Sequence, residues 1–248
     1  MIHSASDADL TLGVIGGMGP LATADFLAKL VQATPVTIEQ EHLRVLVDSN
    51  PKVPDRNRAI AGTGVSPGPL LAGMAAGLER AGANFLVMAC NTAHVFESDI
   101  RVAISIPFVS IIDEASDECV RGHAGIRRVG LLATPACTAS GLYQRALGRN
   151  GLSAVVLNRR DEEVFLGLLH AIKRDGVSRD LRIAMKRLAE ALVADGAEMV
   201  IAGCTEVPLV LDAADLAVPL LDATSNLARR CVQYARRQSP FPAVARLG

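Results

Sequence analysis

The 248-residue chain contains no tryptophan, and aromatic residues make up only 3% of it. Because 50% of the residues are hydrophobic, the core must be built mainly from Ala, Val, Leu and Ile. No apolar run reaches the ~18 residues of a membrane-spanning helix, and the polar start of the chain lacks the basic and apolar regions of a secretion signal. A formal net charge of −1 also excludes a strongly basic surface for nucleic acid or anionic membrane. We expect a soluble cytoplasmic protein that binds neither.

The chain also lacks the usual signatures of metal and cofactor sites. Its five cysteines, at positions 90, 119, 137, 204 and 231, include no C-x-x-C pair, which argues against a structural zinc site and a disulfide framework. No His/Asp/Glu cluster suggests a metal, and none of the four lysines lies in a recognisable pyridoxal phosphate setting. We therefore expect no metal and no cofactor. We interpret Cys119, Cys137 and Cys231 as small buried hydrophobic residues.

The chain repeats its own pattern after a little over one hundred residues. Gly130, in the strand before a turn, follows Gly13 in a similar strand by 117 residues, and Cys204 follows Cys90 by 114. Similarly, the predicted strand Ile106–Asp113 returns as Val218–Asp222. Landmarks that recur in order at nearly constant offset indicate a duplication that produced two like halves.

Apolar strands alternate with helical segments in both halves, and one such predicted strand spans His42–Val47. This pattern predicts an α/β protein with two pseudo-symmetric domains, each a mostly parallel sheet flanked by helices. The active site should lie in the cleft between them, at the carboxyl ends of strands. We assign residues 10–115 and about 222–236 to the first domain and 116–221 to the second. Loosely ordered tails are expected at 1–9 and 238–248.

Two apolar runs end in a cysteine followed by small polar residues, at Cys90 and at Cys204. Each cysteine lies where a strand gives way to a predicted helix start, whose free amides and dipole should lower the thiol pKa. Disulfide exchange would favour cysteines that are neighbours in sequence. Two thiols from equivalent halves suit a different reaction, in which one removes a proton from one face of a carbon and the other delivers a proton to the opposite face.

The glycine turn after the first strand allows several interpretations. Gly17–Ala22 matches G-x-G-x-x-A, a variant of the dinucleotide fingerprint. However, Pro20 removes one amide, and Glu39 and Glu41 do not end a clear second strand. The turn could instead bring the backbone close to a small anionic ligand, with Met18 over it, or be a purely structural strand-to-helix turn.

Four motifs together resemble one known family. They are Gly-Gly-Met-Gly-Pro at 16–20, the loop from Asn50 to Arg56 containing Pro-Asp-Arg, Met-Ala-Cys-Asn-Thr-Ala-His at 88–94, and Ala-Gly-Cys-Thr-Glu at 202–206. The chain resembles the cofactor-independent aspartate/glutamate racemases over about Leu12 to Tyr234, and the first two motifs make it more similar to the aspartate racemase branch. The resemblance implies an amino-acid racemase, acting on aspartate, glutamate or a related amino acid, and a homodimer.

The resemblance also implies roles for individual residues. Cys90 and Cys204 match the two acid/base thiols, whereas Asn91, Thr92 and Thr205 match positions that hold the α-carboxylate and amine. Arg56 and Lys173 match cations that engage carboxylates. Their alternatives are a solvated loop charge for Arg56 and a charge that complements a helix end for Lys173. The predicted substrate-binding set also includes Met18, Asn50, Ala93, Thr134 and Glu206.

Two further side chains near the motifs are assigned no proton-transfer role. His94 lies one helical turn after Cys90 and is interpreted as a histidine at the edge of the core, although it could tune the thiol. Glu206 should lie near the pocket. The remaining alternatives for the whole protein are a decarboxylase or cis–trans isomerase of small dicarboxylic acids on the same scaffold, and a non-catalytic ligand-binding relative.

Overall fold

The computed structural model describes residues 9–242 and contains two four-stranded sheets. The first half comprises, in order, β1 (Leu12–Gly16), α1 (Pro20–Ala33), β2 (Val45–Ser49), α2 (Arg56–Ile60), α3 (Gly68–Arg80), β3 (Phe85–Met88), α4 (Glu97–Ala103), β4 (Phe108–Val109) and α5 (Ile111–Gly122). The second half comprises β5 (Arg128–Leu132), α6 (Pro135–Ala139), α7 (Leu142–Arg149), β6 (Ser153–Val156), α8 (Arg159–Asp175), α9 (Arg179–Ala194), β7 (Met199–Ala202), β8 (Leu220–Asp222) and α10 (Ala223–Ala235). Short 3-10 turns lie at Glu39–Glu41, Thr92–Phe96, Val207–Leu209 and Ala213–Asp215.

The two sheets have equivalent strand orders, β2-β1-β3-β4 and β6-β5-β7-β8, and all of their pairings are parallel. In each sheet the strand that precedes a motif cysteine, β3 or β7, occupies a central position, and its residues are fully buried. The predicted α/β fold with two parallel sheets flanked by helices is therefore confirmed.

One apolar cluster joins the two halves. It contains alternate residues of β1 and β3, such as Val14 and Val87, together with their counterparts Leu131 and Ile201 on β5 and β7. Helix α10 belongs to the same cluster and packs against α1 and α5 of the first half. The other face of each sheet has its own cluster, under α3 in the first half and under α8 and α9 in the second. The halves are thus held together by the inner faces of both sheets.

The three cysteines that were interpreted as structural are fully buried, as predicted. Cys119, Cys137 and Cys231 have no exposed surface and belong to the shared apolar cluster. Among the described residues, no helix is both long and apolar enough to span a bilayer.

Three predicted strands are wrong in their extent. Strand β4 covers only Phe108–Val109 of the predicted Ile106–Asp113 because α5 begins at Ile111, where the Ser110 side chain accepts a hydrogen bond from the Asp113 amide at 3.4 Å. Strand β2 begins three residues later than predicted because the Glu39–Glu41 turn ends at His42. The repeat of β4 is also short, since the predicted strand from Val218 begins only at Leu220.

The proposed domain division remains a prediction, with two structural qualifications. The boundary at 115/116 falls inside α5. The tail predicted from 238 is held to the core as far as Phe241, whose ring stacks on Tyr234 with centroids 5.1 Å apart. Residues 1–8 and 243–248 of the predicted tails lie outside the described residues.

A buried charge links α10 to α5. The Glu114 side chain is 2% exposed and lies 2.8 Å from the Arg230 guanidinium, and it also accepts a hydrogen bond from the Tyr234 hydroxyl. The Asn226 side chain donates to the Glu114 carbonyl at 2.9 Å. Because a buried carboxylate is costly without partners, these contacts determine how α10 returns to the first half.

The first prediction concerns this network. Arg230→Met should lower the free energy of unfolding by about 3 kcal/mol, because it leaves the Glu114 charge buried without its main partner. The matched control is Arg121→Met, which removes an exposed guanidinium 3.4 Å from the same carboxylate and should cost no more than about 1 kcal/mol. Urea denaturation measures the free energy of unfolding of both variants. Equal losses in the two would contradict the assignment of Arg230 as the main partner of Glu114.

Candidate active site

The glycine turn after β1 is closed by contacts within the protein. The Thr23 hydroxyl accepts a hydrogen bond from the Gly17 amide at 2.8 Å. Gly17 has φ +89°, and a Cβ added there would lie 2.4 Å from the Asn50 backbone, so only glycine fits. The Gly17 amide is thus bonded to Thr23, and the Asn50 backbone fills the space next to Gly17. Neither is available to a phosphate group, so the dinucleotide interpretation gains no support. The turn instead holds Met18 at the cavity described next.

Both motif cysteines line one small cavity at the carboxyl ends of β3 and β7. Each thiol residue is 6% exposed. The cavity has a volume of about 20 Å³, which is room for about one water molecule. An amino acid can therefore enter only if the surrounding segments move apart. The lining residues are Met18, Arg56, Asn57, Cys90, Asn91, Thr92, Thr134, Lys173, Cys204, Thr205 and Glu206.

A larger cavity of about 330 Å³ lies between α4, the start of α5 and α7. It is lined by side chains such as Arg101, Asp113 and Arg149, and by His94, but by neither Cys90 nor Cys204. We place the chemistry in the smaller cavity because it brings together two thiols and two cations, whereas no cysteine lines the larger one.

Glu206 connects Cys204 to Lys173. The Cys204 thiol donates to the Glu206 carboxylate, with Sγ and Oε2 3.0 Å apart, and the Lys173 Nζ lies 3.3 Å from Oε1. Burial, followed by the negative charge of Glu206, raises the pKa of the Cys204 thiol well above its ordinary value, and Lys173 offsets only part of this. For Lys173 itself burial lowers the pKa, but Glu206 and the thiols outweigh it, and the pKa is raised.

The expectation that a helix start lowers the thiol pKa is therefore wrong for Cys204. The segment that follows is the three-residue 3-10 turn Val207–Leu209, which is too short for an appreciable dipole. Burial and the neighbouring carboxylate dominate instead. A 3-10 turn, Thr92–Phe96, also follows Cys90.

The segment after Cys90 is held by the second half of the chain. The Asn91 side-chain oxygen accepts a hydrogen bond from the Tyr143 hydroxyl at 2.7 Å, and the hydroxyls of Thr92 and Thr134 lie 2.9 Å apart. These contacts join residues 52 and 42 positions apart in sequence. They fix the position of the Cys90 segment relative to the second half.

His94 contacts the backbone of this segment. Its Nδ1 lies 2.8 Å from the Cys90 carbonyl oxygen, to which it donates, and its Nε2 accepts from the Ile111 amide at 3.3 Å. Burial lowers the pKa of His94. Both bonds are made to backbone atoms. They fit the interpretation of His94 as a residue that supports the structure around Cys90 and does not act on the thiol.

Arg56 reaches the cavity from the first turn of α2. Its Nη1 donates to the carbonyl oxygens of Val53 and Pro54, at 3.3 and 3.1 Å. The Asp55 side chain caps the same helix by accepting from the Arg58 amide at 2.9 Å. The proline-containing loop thus fixes Nη1 of the guanidinium. The remaining N–H groups are available to a carboxylate.

Ten of the predicted site residues line the cavity, and Asn50 and Ala93 do not. The Asn50 side chain accepts from the Lys52 amide at 2.9 Å, so it shapes the loop instead. Ala93 is fully buried. The structure adds two residues that the sequence analysis missed, Asn57 on the lining and Tyr143 behind Asn91. Asn57 could have been found from its place beside Arg56, but nothing in the sequence links Tyr143 to Asn91.

Two amide atoms at this cavity have no hydrogen-bond partner in the described part of the chain. They are the buried Oδ1 of Asn57 and the buried Nδ2 of Asn91. A buried polar atom without a partner costs about 1–3 kcal/mol, so such atoms indicate a polar ligand. Within residues 9–242, no three His, Cys, Asp or Glu side chains converge as metal ligands would.

Comparison with known proteins identifies the family. A family model described as Asp/Glu/Hydantoin racemase matches residues 15–231. The chain belongs to the Asp/Glu/Hydantoin racemase family. As a member of this family it is an isomerase of the racemase type, and the resemblance inferred from the motifs is confirmed.

Individual relatives of this racemase align with between 65% and 92% of its length. The broad specificity amino-acid racemase RacX of Bacillus subtilis (strain 168) is 27% identical over 242 residues, which are 92% of this chain and all of that protein. A glutamate racemase from Synechococcus sp. (strain CC9605) is 30% identical over 65% of this chain and 60% of its own length. The structure of Picrophilus torridus aspartate racemase superposes with a TM-score of 0.82 at 27% identity, covering 91% of this chain and 94% of that one.

The second prediction tests the effect of Glu206 on the thiol. Glu206→Gln should lower the pKa of Cys204, because it removes the adjacent negative charge and replaces the carboxylate acceptor of the thiol proton with a neutral amide. Since only the thiolate is alkylated, the pH profile for iodoacetamide labelling of Cys204 should move to lower pH. Peptide mass spectrometry separates Cys204 from the other thiols.

The control for this measurement is Glu190→Gln, which neutralises an exposed carboxylate on α9. It should leave the labelling profile of Cys204 unchanged. A profile for Glu206→Gln that stays in place or moves to higher pH would contradict the assigned effect of Glu206.

Proposed function

We propose that this racemase interconverts the enantiomers of a small acidic amino acid, with aspartate preferred and glutamate as the alternative, by cofactor-independent proton transfer between Cys90 and Cys204. The observation that supports it is one cavity lined by two thiols from equivalent positions of the two halves, together with Arg56 and Lys173. An acid/base group from each half matches a reaction that needs one proton removed and another supplied.

The proposed reaction uses one thiolate and one thiol. The thiolate removes the α-proton, and the thiol on the opposite side protonates the resulting carbanion, which inverts the configuration. For the opposite enantiomer the two groups exchange roles. The hydrogen bond from Cys204 to Glu206 supports Cys204 as the protonated partner in the resting protein, with Cys90 as the base in that form.

The carbanion requires a setting that favours negative charge. Arg56 and Lys173 supply positive charge at the cavity lining. In a closed cavity with little water these interactions are stronger than in solution. We assign Arg56 to the side-chain carboxylate and Asn91 with Lys173 to the α-carboxylate.

Arg56, Lys173 and Glu206 together give the lining a net positive charge, which complements the net negative charge of an acidic amino acid. Similarity to an aspartate racemase supports aspartate, whereas similarity to RacX supports a wider range of amino acids. From the motif resemblance we also propose a homodimer and a cytoplasmic location. Light scattering of the purified protein tests the dimer.

The third prediction concerns the thiols. Cys90→Ala and Cys204→Ala should each reduce racemisation by at least about 10²–10⁴-fold, because each removes one acid/base group. Chiral chromatography of aspartate measures the rate. The control, Cys231→Ala, removes a fully buried thiol on α10 and should retain activity. Near-wild-type racemisation by either site variant would contradict the two-base proposal.

The same assay in deuterium oxide separates racemisation from the alternative reactions. The wild type should introduce deuterium at Cα of aspartate starting from either enantiomer. Label found only in a decarboxylated product, or no label with any acidic amino acid, would reject the proposal.

The fourth prediction concerns substrate recognition. Arg56→Gln should lower kcat/KM for aspartate by about 10–100-fold, which corresponds to the loss of a charge-assisted hydrogen bond of about 1.5–3 kcal/mol. The control is Arg58→Gln, which neutralises an exposed arginine on the same helix and should have little effect. Equal effects of the two changes would show that Arg56 does not bind substrate.

A further inference from the structure

Tyr143 lies behind the candidate site without lining it. It belongs to α7 in the second half and has no exposed surface. Its hydroxyl donates to the Asn91 side-chain oxygen at 2.7 Å, across the junction between the halves. A hydroxyl in an apolar core is unfavourable unless it is bonded, and here its partner is a residue of the cavity lining.

This bond determines which end of the Asn91 amide faces the cavity. The oxygen is occupied by Tyr143, whereas Nδ2 is buried and has no partner among residues 9–242. Asn91 is only 2% exposed, so that nitrogen is shielded from bulk solvent. The amide therefore presents a donor to the cavity, which suits a carboxylate and not an ammonium group.

The ring of Tyr143 also contacts the other cysteine segment. A Cβ added to Gly203 would lie 3.1 Å from Cε2 of Tyr143, so the ring lies directly against the residue that precedes Cys204. One side chain thus touches the residue after Cys90 through its hydroxyl and the residue before Cys204 through its ring.

We propose that Tyr143 is a positioning residue that orients the Asn91 amide, so that Nδ2 donates to a substrate carboxylate. The identity of that ligand rests on the proposed function. Without the hydroxyl, the amide is free to rotate and to present its oxygen, which repels a carboxylate. Because the Asn91 contact is made in the ground state and the transition state alike, its loss acts mainly on KM.

The test compares two buried tyrosines. Tyr143→Phe should raise KM for aspartate about 3–10-fold, corresponding to one hydrogen bond of about 0.5–1.5 kcal/mol, and should change kcat by less than about twofold. Tyr234→Phe is the matched control, because Tyr234 is equally buried but its hydroxyl bonds to Glu114, and neither residue lines the cavity. It should lower thermal stability and leave KM unchanged.

A KM for Tyr143→Phe within twofold of wild type, whatever its thermal stability, would overturn the inference while leaving the proposed function intact. If the wild type racemises no acidic amino acid, the proposed function fails by itself. NMR signals of the Asn91 side-chain amide, assigned with Asn91→Ala, then decide about Tyr143. Signals displaced or broadened in Tyr143→Phe support the positioning role, and unchanged signals overturn it.

Discussion

The apolar contact between the inner faces of the two sheets is the constraint on which the rest of this structure depends. Each half brings a cysteine to the end of a central strand, but neither half encloses a site alone. Because β1 and β3 share a core with β5 and β7, the two cysteine segments are held at one cavity. Helix α10 strengthens this arrangement, since it returns from the second half to pack on α1 and α5. The hydrophobic effect between the halves thus determines the spacing of the reactive groups.

The halves are equivalent in fold but differ in chemistry. The residue two positions after Cys90 is Thr92, which bonds to Thr134, whereas the residue two positions after Cys204 is Glu206, which bonds to the thiol and to Lys173. A duplicated scaffold therefore surrounds its two thiols with different charges. This difference suits a substrate that is itself asymmetric, with a carboxylate and an amine at the reacting carbon.

The sequence predicts the fold and most of the lining because both depend on local or repeated patterns. The recurrence of the Cys90 segment at Cys204 indicates the duplication, and the motifs indicate Arg56, Asn91 and Lys173. The pKa of Cys204 could not be predicted, since it depends on burial by segments distant in sequence. Tyr143 was missed for the same reason, because its contact with Asn91 spans the junction of the halves. The short β4 reflects a local competition, in which the Ser110 cap starts a helix before the strand can continue.

The small volume of the cavity has a consequence for the catalytic cycle. In the proposed mechanism, one turnover moves the thiol proton from one cysteine to the other, so the free protein would exist in two forms, each ready for one enantiomer. The cavity has room for about one water molecule, and each cysteine is only 6% exposed, so bulk solvent has little access to these protons. Conversion between the two forms should therefore be fastest when the site opens. At high substrate concentration this recovery step, rather than inversion at carbon, would set the steady-state rate.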